Sequence, residues 1–146
     1  MRLHINGIKE GFIIFFGSFL RRQELTRLSG ATYLLLGCLV TSLLFKRSVV
    51  IAACTFVIVG DTFAALIGQN IKSPKISANK TLLGSLSFLI TALLSAIGLS
   101  LLPDALPIFL LIIGAVSAAV LEALPLPWND NFSVPILTGI VMSVII

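Results

Sequence analysis

The residues able to do chemistry in this chain are few and unevenly placed. Asp61 interrupts an apolar run, GDTFAALIG; Lys80 opens another, KTLLGS; Glu122 and Asp130 flank a proline-containing turn, LEALPLPWND. Carboxylates are the hard oxygen ligands that a divalent cation takes. A lysine at a helix start, beside a glycine and the N–H groups of a first turn, can cradle phosphate. The arrangement is not a P-loop, because no glycine lies between Gly68 and Gly84 and the order Gly-x-x-x-x-Gly-Lys-Ser/Thr is absent. Two plainer readings stand beside the chemical one. Lys72, Lys75 and Lys80 also suit charge anchoring on the cytoplasmic side of a membrane, and Asp61 could belong to a packing seam that holds a buried ion pair.

The neighbours of the acids are small. Asp61, Ala64, Ala65 and Gly68 share one helical face, as do Gly114, Ala118 and Glu122. Small residues let another backbone or a ligand come close. An ionisable group inside an apolar span is costly and faces a bundle interior or a polar cavity. These acids are therefore expected to line a polar site cut into one end of a helix bundle.

The elements that would position them follow from composition. Of 146 residues, 58% are hydrophobic and 11% charged, against about half and a quarter in a soluble domain. The expectation is an integral membrane protein: an all-α polytopic transmembrane bundle of about five or six hydrophobic segments, forming a single domain over 1–146. The segments are Gly11 to Leu20, Leu28 to Phe45, Val49 to Ile67, Thr81 to Leu102, Pro107 to Leu124 and Ser133 to Ile146. The first would be about 15 Å long as a helix, too short for a core of about 30 Å. Residues 1–27 are accordingly read as a short interfacial or re-entrant segment. A transmembrane β-barrel would need an alternation that is missing.

Crossing sides at each segment puts Arg21, Arg22, Arg27, Lys72, Lys75 and Lys80 on one face and only Lys46 and Arg47 on the other. The excess assigns the first face to the cytoplasm. Glu24, Asp61, Glu122, Asp130 and Asn131 fall on or near that face, and Asp104 falls opposite. No basic stripe of the kind that binds nucleic acid is present. Cys38 and Cys54 read as small buried hydrophobes, and no Cys/His spacing suggests a metal site. His4 is assigned no role.

Taken in order, RRQELTRLSGATYLLLG, GDTFAALIG, KISANKTLLGS and LEALPLPWNDNFSVPI resemble the CTP-dependent lipid-alcohol kinases: dolichol kinase, phytol kinase and the yeast-type diacylglycerol kinase. The resemblance covers most of the chain from Arg21 onward. It implies transfer of the terminal phosphate of CTP to a membrane lipid alcohol, with Mg²⁺. The family's Asp, Ala and Gly fall on Asp61, Ala65 and Gly68, and its Lys-Thr-x-x-Gly-Ser on Lys80, Thr81, Gly84 and Ser85. Its Glu and Asp-Asn fall on Glu122, Asp130 and Asn131. On this likeness Asp61, Glu122, Asp130 and Asn131 are the metal-site residues. Lys80, the Thr81–Ser85 helix start, Ala65 and Gly68 are the nucleotide-site residues. Glu24 would orient the acceptor hydroxyl and Arg27 would neutralise charge at the transferred group.

Family members usually carry further N-terminal spans, so homo-oligomerisation is one way to complete a lipid groove. Two other functions stay open at this point. A cytidylyltransferase making a CDP-lipid shares the Asp-x-x-Ala and Lys-Thr-x-x-Gly pattern and would release pyrophosphate. A small transporter or structural subunit would carry charged groups to both faces and need no nucleotide.

Overall fold

The computed structural model describes residues 30–77, 80–125 and 128–146. Five α-helices make up almost all of it: α1 Gly30–Leu44, α2 Arg47–Asn70, α3 Leu82–Ser100, α4 Ile108–Ala123 and α5 Asp130–Ile145. Between α2 and α3 the chain forms a small antiparallel hairpin. Its strands are β1 Lys75–Ser77 and β2 Lys80–Thr81, and Lys75 pairs with Thr81.

The expectation of five or six membrane-crossing segments is not met. Among the described residues, two helices are long and apolar enough to cross a membrane: α2, with 24 residues, and α3, with 19. The other three have 15, 16 and 16 residues, or roughly 22–24 Å at 1.5 Å per residue, short of a hydrocarbon core of about 30 Å. Counting apolar residues overestimates helix length where the ends of a run are not helical. Leu124, at the end of the Pro107 to Leu124 run, is an extended cap, and Pro107 is the non-helical residue before α4. The Gly11 to Leu20 segment and residues 1–27 lie outside the described residues.

Local chemistry explains where the helices begin. Thr81 caps α3, its Oγ1 accepting the Gly84 N–H at 3.2 Å, the usual remedy for an orphan donor in the first turn. Asn129 caps α5 in the same way, accepting from the Asn131 N–H at 3.1 Å. Pro135 sits inside α5 and has no N–H to donate to the Asn131 carbonyl. That carbonyl faces Gly37 of α1, where an added Cβ would lie 2.8 Å from it. The bare glycine therefore lets α1 seat on the first turn of α5.

The core runs along the middle of the bundle. Phe56 and Val57 of α2, Phe88, Ala92 and Ala96 of α3, Leu111 and Ala115 of α4, and Val134 and Met142 of α5 are all buried within it. α2 packs along α3, α3 along α4 and α4 along α5, while α1 lies mainly on α5. Successive helices from α2 to α5 run antiparallel, so the end of α2, the start of α3, the end of α4 and the start of α5 meet at one end of the bundle.

Candidate functional site

A cavity of about 260 Å³ opens at that end. Asp61, Ala64, Ala65, Gly68 and Gln69 of α2 form one wall. Lys80, Thr81, Gly84 and Ser85 form the second, and Glu122 of α4 with Asp130 of α5 form the third. Asp61, Ala64, Ala65 and Gly68, which the sequence places on one helical face, do face one cavity; of the second such face only Glu122 reaches it, since Gly114 packs against Met142 and Phe56 and Ala118 is buried in the core. Gln69, which the motif reading passes over, completes the row Asp61, Ala65, Gln69 at i+4 spacing.

Lys80 stands between the acids. Its Nζ lies 2.8 Å from Asp130 Oδ2 and 3.6 Å from Glu122 Oε1, and it donates a long hydrogen bond, 3.5 Å, to the Leu124 carbonyl. The Lys80 and Glu122 side chains are only 13% and 12% exposed, so this is a largely desolvated contact and costly to break from one side. Ser85 Oγ donates to Glu122 Oε2 at 3.2 Å. Burial pushes the Glu122 carboxyl above the usual carboxylate range, while Lys80 and the Ser85 hydroxyl pull it part of the way back.

Asp61 is different. Half-buried on the cavity wall, it forms no ion pair with any described residue, Lys80 included. The seam alternative, in which Asp61 balances a buried lysine or arginine, finds no such cation among the described residues. Lys80 is engaged by α4 and α5 instead.

The start of α3 differs from the cradle expected of it. Its first N–H groups are occupied: Leu82 donates to the Pro74 carbonyl at 2.9 Å, Leu83 to Ser73 Oγ at 3.3 Å and Gly84 to Thr81 Oγ1. The preceding loop folds back and satisfies them before any ligand can. Gly68 and Gly84 face each other across Thr81. A Cβ on either would come within 2.9 Å of Thr81 Oγ1, so the α2–α3 contact on this wall requires both glycines.

The remaining sequence-derived site residues divide in two. Asn131 does not line the cavity; its Nδ2 donates to the Gly30 carbonyl at 3.2 Å and ties α5 to α1. Glu24 and Arg27 lie outside the described residues. Among the described residues no group of three or more acidic, His or Cys side chains is placed to hold a metal ion by itself. Mg²⁺ bound with a nucleotide does not need one, since it takes one or two carboxylates and fills its shell with phosphate oxygens and water. The unpaired Asp61 carboxylate fits that requirement. Asp130 and Glu122 are engaged by Lys80.

No protein-family model matches the chain, and neither does any solved structure. It is 33% identical over 128 residues to an uncharacterised protein of Rickettsia prowazekii, an alignment covering 84% of this chain and 62% of that protein. It is 26% identical over 153 aligned residues to the CTP-dependent diacylglycerol kinase 1 of Saccharomyces cerevisiae, covering 89% of this chain and 53% of the kinase. The chain thus spans little more than half the length of the curated relatives it matches. It is a distant homologue of a CTP-dependent lipid kinase, a kinship at the level of the broad family.

Proposed function

We propose that this chain is a membrane-embedded phosphotransferase that moves the terminal phosphate of CTP to the hydroxyl of a membrane lipid alcohol of the dolichol or polyprenol, phytol or diacylglycerol type. The observation that carries this reading is the Asp61 carboxylate, without an ionic partner among the described residues and facing Lys80 and Ser85 across a cavity open at one bundle end. The distant kinship with a CTP-dependent lipid kinase supports the choice of donor and acceptor class.

In this reading Asp61 is the residue that would hold Mg²⁺ supplied with the nucleotide. The ion, when bound, neutralises charge on the phosphates and aligns the terminal one for in-line attack. Lys80 contributes charge to the same phosphates once it turns from Asp130, and the Ser85 hydroxyl donates to a phosphate oxygen. Gly68 and Gly84 keep the α2 and α3 backbones free of side chains at the cavity wall. The acceptor oxygen forms its bond to the terminal phosphorus as the bond to the CDP oxygen breaks. The hydroxyl proton passes to a carboxylate or to solvent water, and Glu24 is proposed to orient the hydroxyl. With α2 and α3 taken to cross the bilayer, the lysines of the α2–α3 connection favour a cytoplasmic position for this end, where CTP is found and the acceptor lies alongside in the membrane.

Purified protein incubated with γ-labelled CTP, Mg²⁺ and a panel of lipid alcohols is expected to yield one labelled phospholipid and CDP. Release of pyrophosphate with a cytidine-bearing lipid would replace the kinase with a cytidylyltransferase. No nucleotide turnover with any lipid would remove the reading altogether.

A further inference from the structure

A second cavity, of about 450 Å³, lies at the other end of the bundle. The start of α2 and the end of α3 form it together with the α3–α4 connection and the first turns of α4. Its polar side carries Lys46, Arg47, Ser48 and Asp104. Its other wall is apolar, built from Ile51, Leu99, Leu106 and Leu111. The volume is in the range of small-molecule sites, roughly 300–1,000 Å³.

Three features of the polar side point to an anion. Lys46 and Arg47 form no ion pair with any described residue, so two cations stand at the cavity with no described carboxylate in contact. No side chain caps the first turn of α2, whereas α3 has its first donors satisfied by its own loop. That uncapped turn lines the same cavity through Arg47 and Ser48 and adds the positive end of a 24-residue helix. With Asp104 counted, the polar side carries one net positive charge, which matches the single negative charge of a phosphodiester. The apolar wall then selects among phosphodiesters. A small soluble anion would leave Ile51 and the exposed parts of Leu99 and Leu106 in contact with water, whereas an acyl chain would cover them. The mouth also lies where the two helices capable of crossing a bilayer both end, the level at which lipid headgroups sit.

We propose that this cavity binds the phosphodiester headgroup of an anionic membrane lipid, with Lys46, Arg47 and the first turn of α2 on the phosphate and the apolar wall on the proximal part of a chain. The site is separate from the Asp61 cavity, at the opposite end of the same two helices.

The test places a fluorescent reporter in the cavity. Trp128 is the sole tryptophan and lies at the other end, so Leu102→Trp in a Trp128→Phe background reports on this cavity alone. The protein in non-ionic detergent is titrated with dibrominated phosphatidylglycerol, dibrominated phosphatidylcholine and inorganic phosphate. Phosphatidylglycerol is expected to quench at concentrations about tenfold lower than phosphatidylcholine, the ratio that one charge-assisted contact supplies. Inorganic phosphate should not relieve the quenching at equal concentration. Lys46→Gln with Arg47→Gln should abolish the preference, while Lys46→Arg with Arg47→Lys should keep it. Ala105→Phe, which fills the cavity without touching either charge, should also abolish it. Equal quenching by both lipids overturns the proposal, and needs no charge variant to be seen. A preference that survives Ala105→Phe overturns it too, because the cations would then act as surface anchors. Tight binding of inorganic phosphate would replace the lipid with a free anion.

Discussion

The two ends of α2 and α3 use the same kinds of side chain to opposite effect. At one end Lys80 is surrounded by Asp130 and Glu122, the first turn of α3 is sealed by its own loop, and one carboxylate, Asp61, has no ionic partner among the described residues. At the other end Lys46 and Arg47 have no ion-pair partner among the described residues, and Lys46 gives the first turn of α2 no side-chain cap. One end therefore exposes a lone negative charge suited to a cation, and the other exposes positive charge suited to an anion. A helix start is an anion site only when the preceding chain leaves its donors free. Here the loop decides, and the two helices differ because their loops differ.

The contrast breaks most visibly at Asp61. Asp61→Asn keeps the shape and removes the charge a hard cation needs. Lipid-kinase turnover is expected to fall by roughly 10²–10³ or more, as for loss of a principal electrostatic contact in other enzymes. Because Asp61 has no ionic partner to strand among the described residues, the melting temperature in detergent should hardly move. Asp104→Asn at the other end should leave turnover unchanged. A folded Asp61→Asn protein with near-normal turnover would falsify the site.

Lys80 and Lys46 sharpen the comparison in stability. Lys80→Ala leaves Glu122 and Asp130 without their common cation and should destabilise the fold by about 2–3 kcal/mol. Lys46→Ala, at an exposed and unpaired position, should stay within about 0.5 kcal/mol. Combining Lys80→Ala with Asp130→Asn should be clearly non-additive in denaturant melts, while combining it with Asp61→Asn should add within about 0.5 kcal/mol. The reverse pattern of coupling would mean that Lys80 serves Asp61.

Ligand removal gives the next effect. At about one hundred times its dissociation constant, CTP with Mg²⁺ should stabilise the protein by about 2.7 kcal/mol through mass action. EDTA should cancel that shift in wild type, and Asp61→Asn should lack the metal-dependent part from the start. Protection by CTP that is indifferent to EDTA would remove the metal from the picture.

A further contrast lies within α3 itself. A Cβ at Gly84 would sit 2.9 Å from Thr81 Oγ1 and 3.2 Å from the Ala64 carbonyl, whereas at Gly98 it would meet nothing within 4 Å. Gly84→Ala should thus destabilise by about 1–3 kcal/mol, and Gly98→Ala should be neutral or stabilise by up to about 1 kcal/mol. Equal melting temperatures for the two variants would show that the α2–α3 contact at the site is looser than the geometry indicates.

What could be read along the chain was local. An aspartate with small residues at i+3, i+4 and i+7 marks one helical face from its own spacing, and Asp61, Ala64, Ala65 and Gly68 do line one cavity. The all-α character and the helix positions were legible because apolar runs and their breaks are written residue by residue. Helix length was less so: hydropathy counts apolar side chains but cannot tell where backbone hydrogen bonding stops, and α1, α4 and α5 come out too short to cross. The partner of each charge was not legible at all. Lys80 could have answered Asp61, nineteen positions before it, yet it pairs with Glu122 and Asp130, more than forty positions after it, because the ends of α4 and α5 pack beside the start of α3. Asn131, adjacent to a cavity residue in sequence, turns to Gly30 of α1 instead. A charge has no preference for sequence distance, only for spatial distance and desolvation, and both are set by how the helices pack.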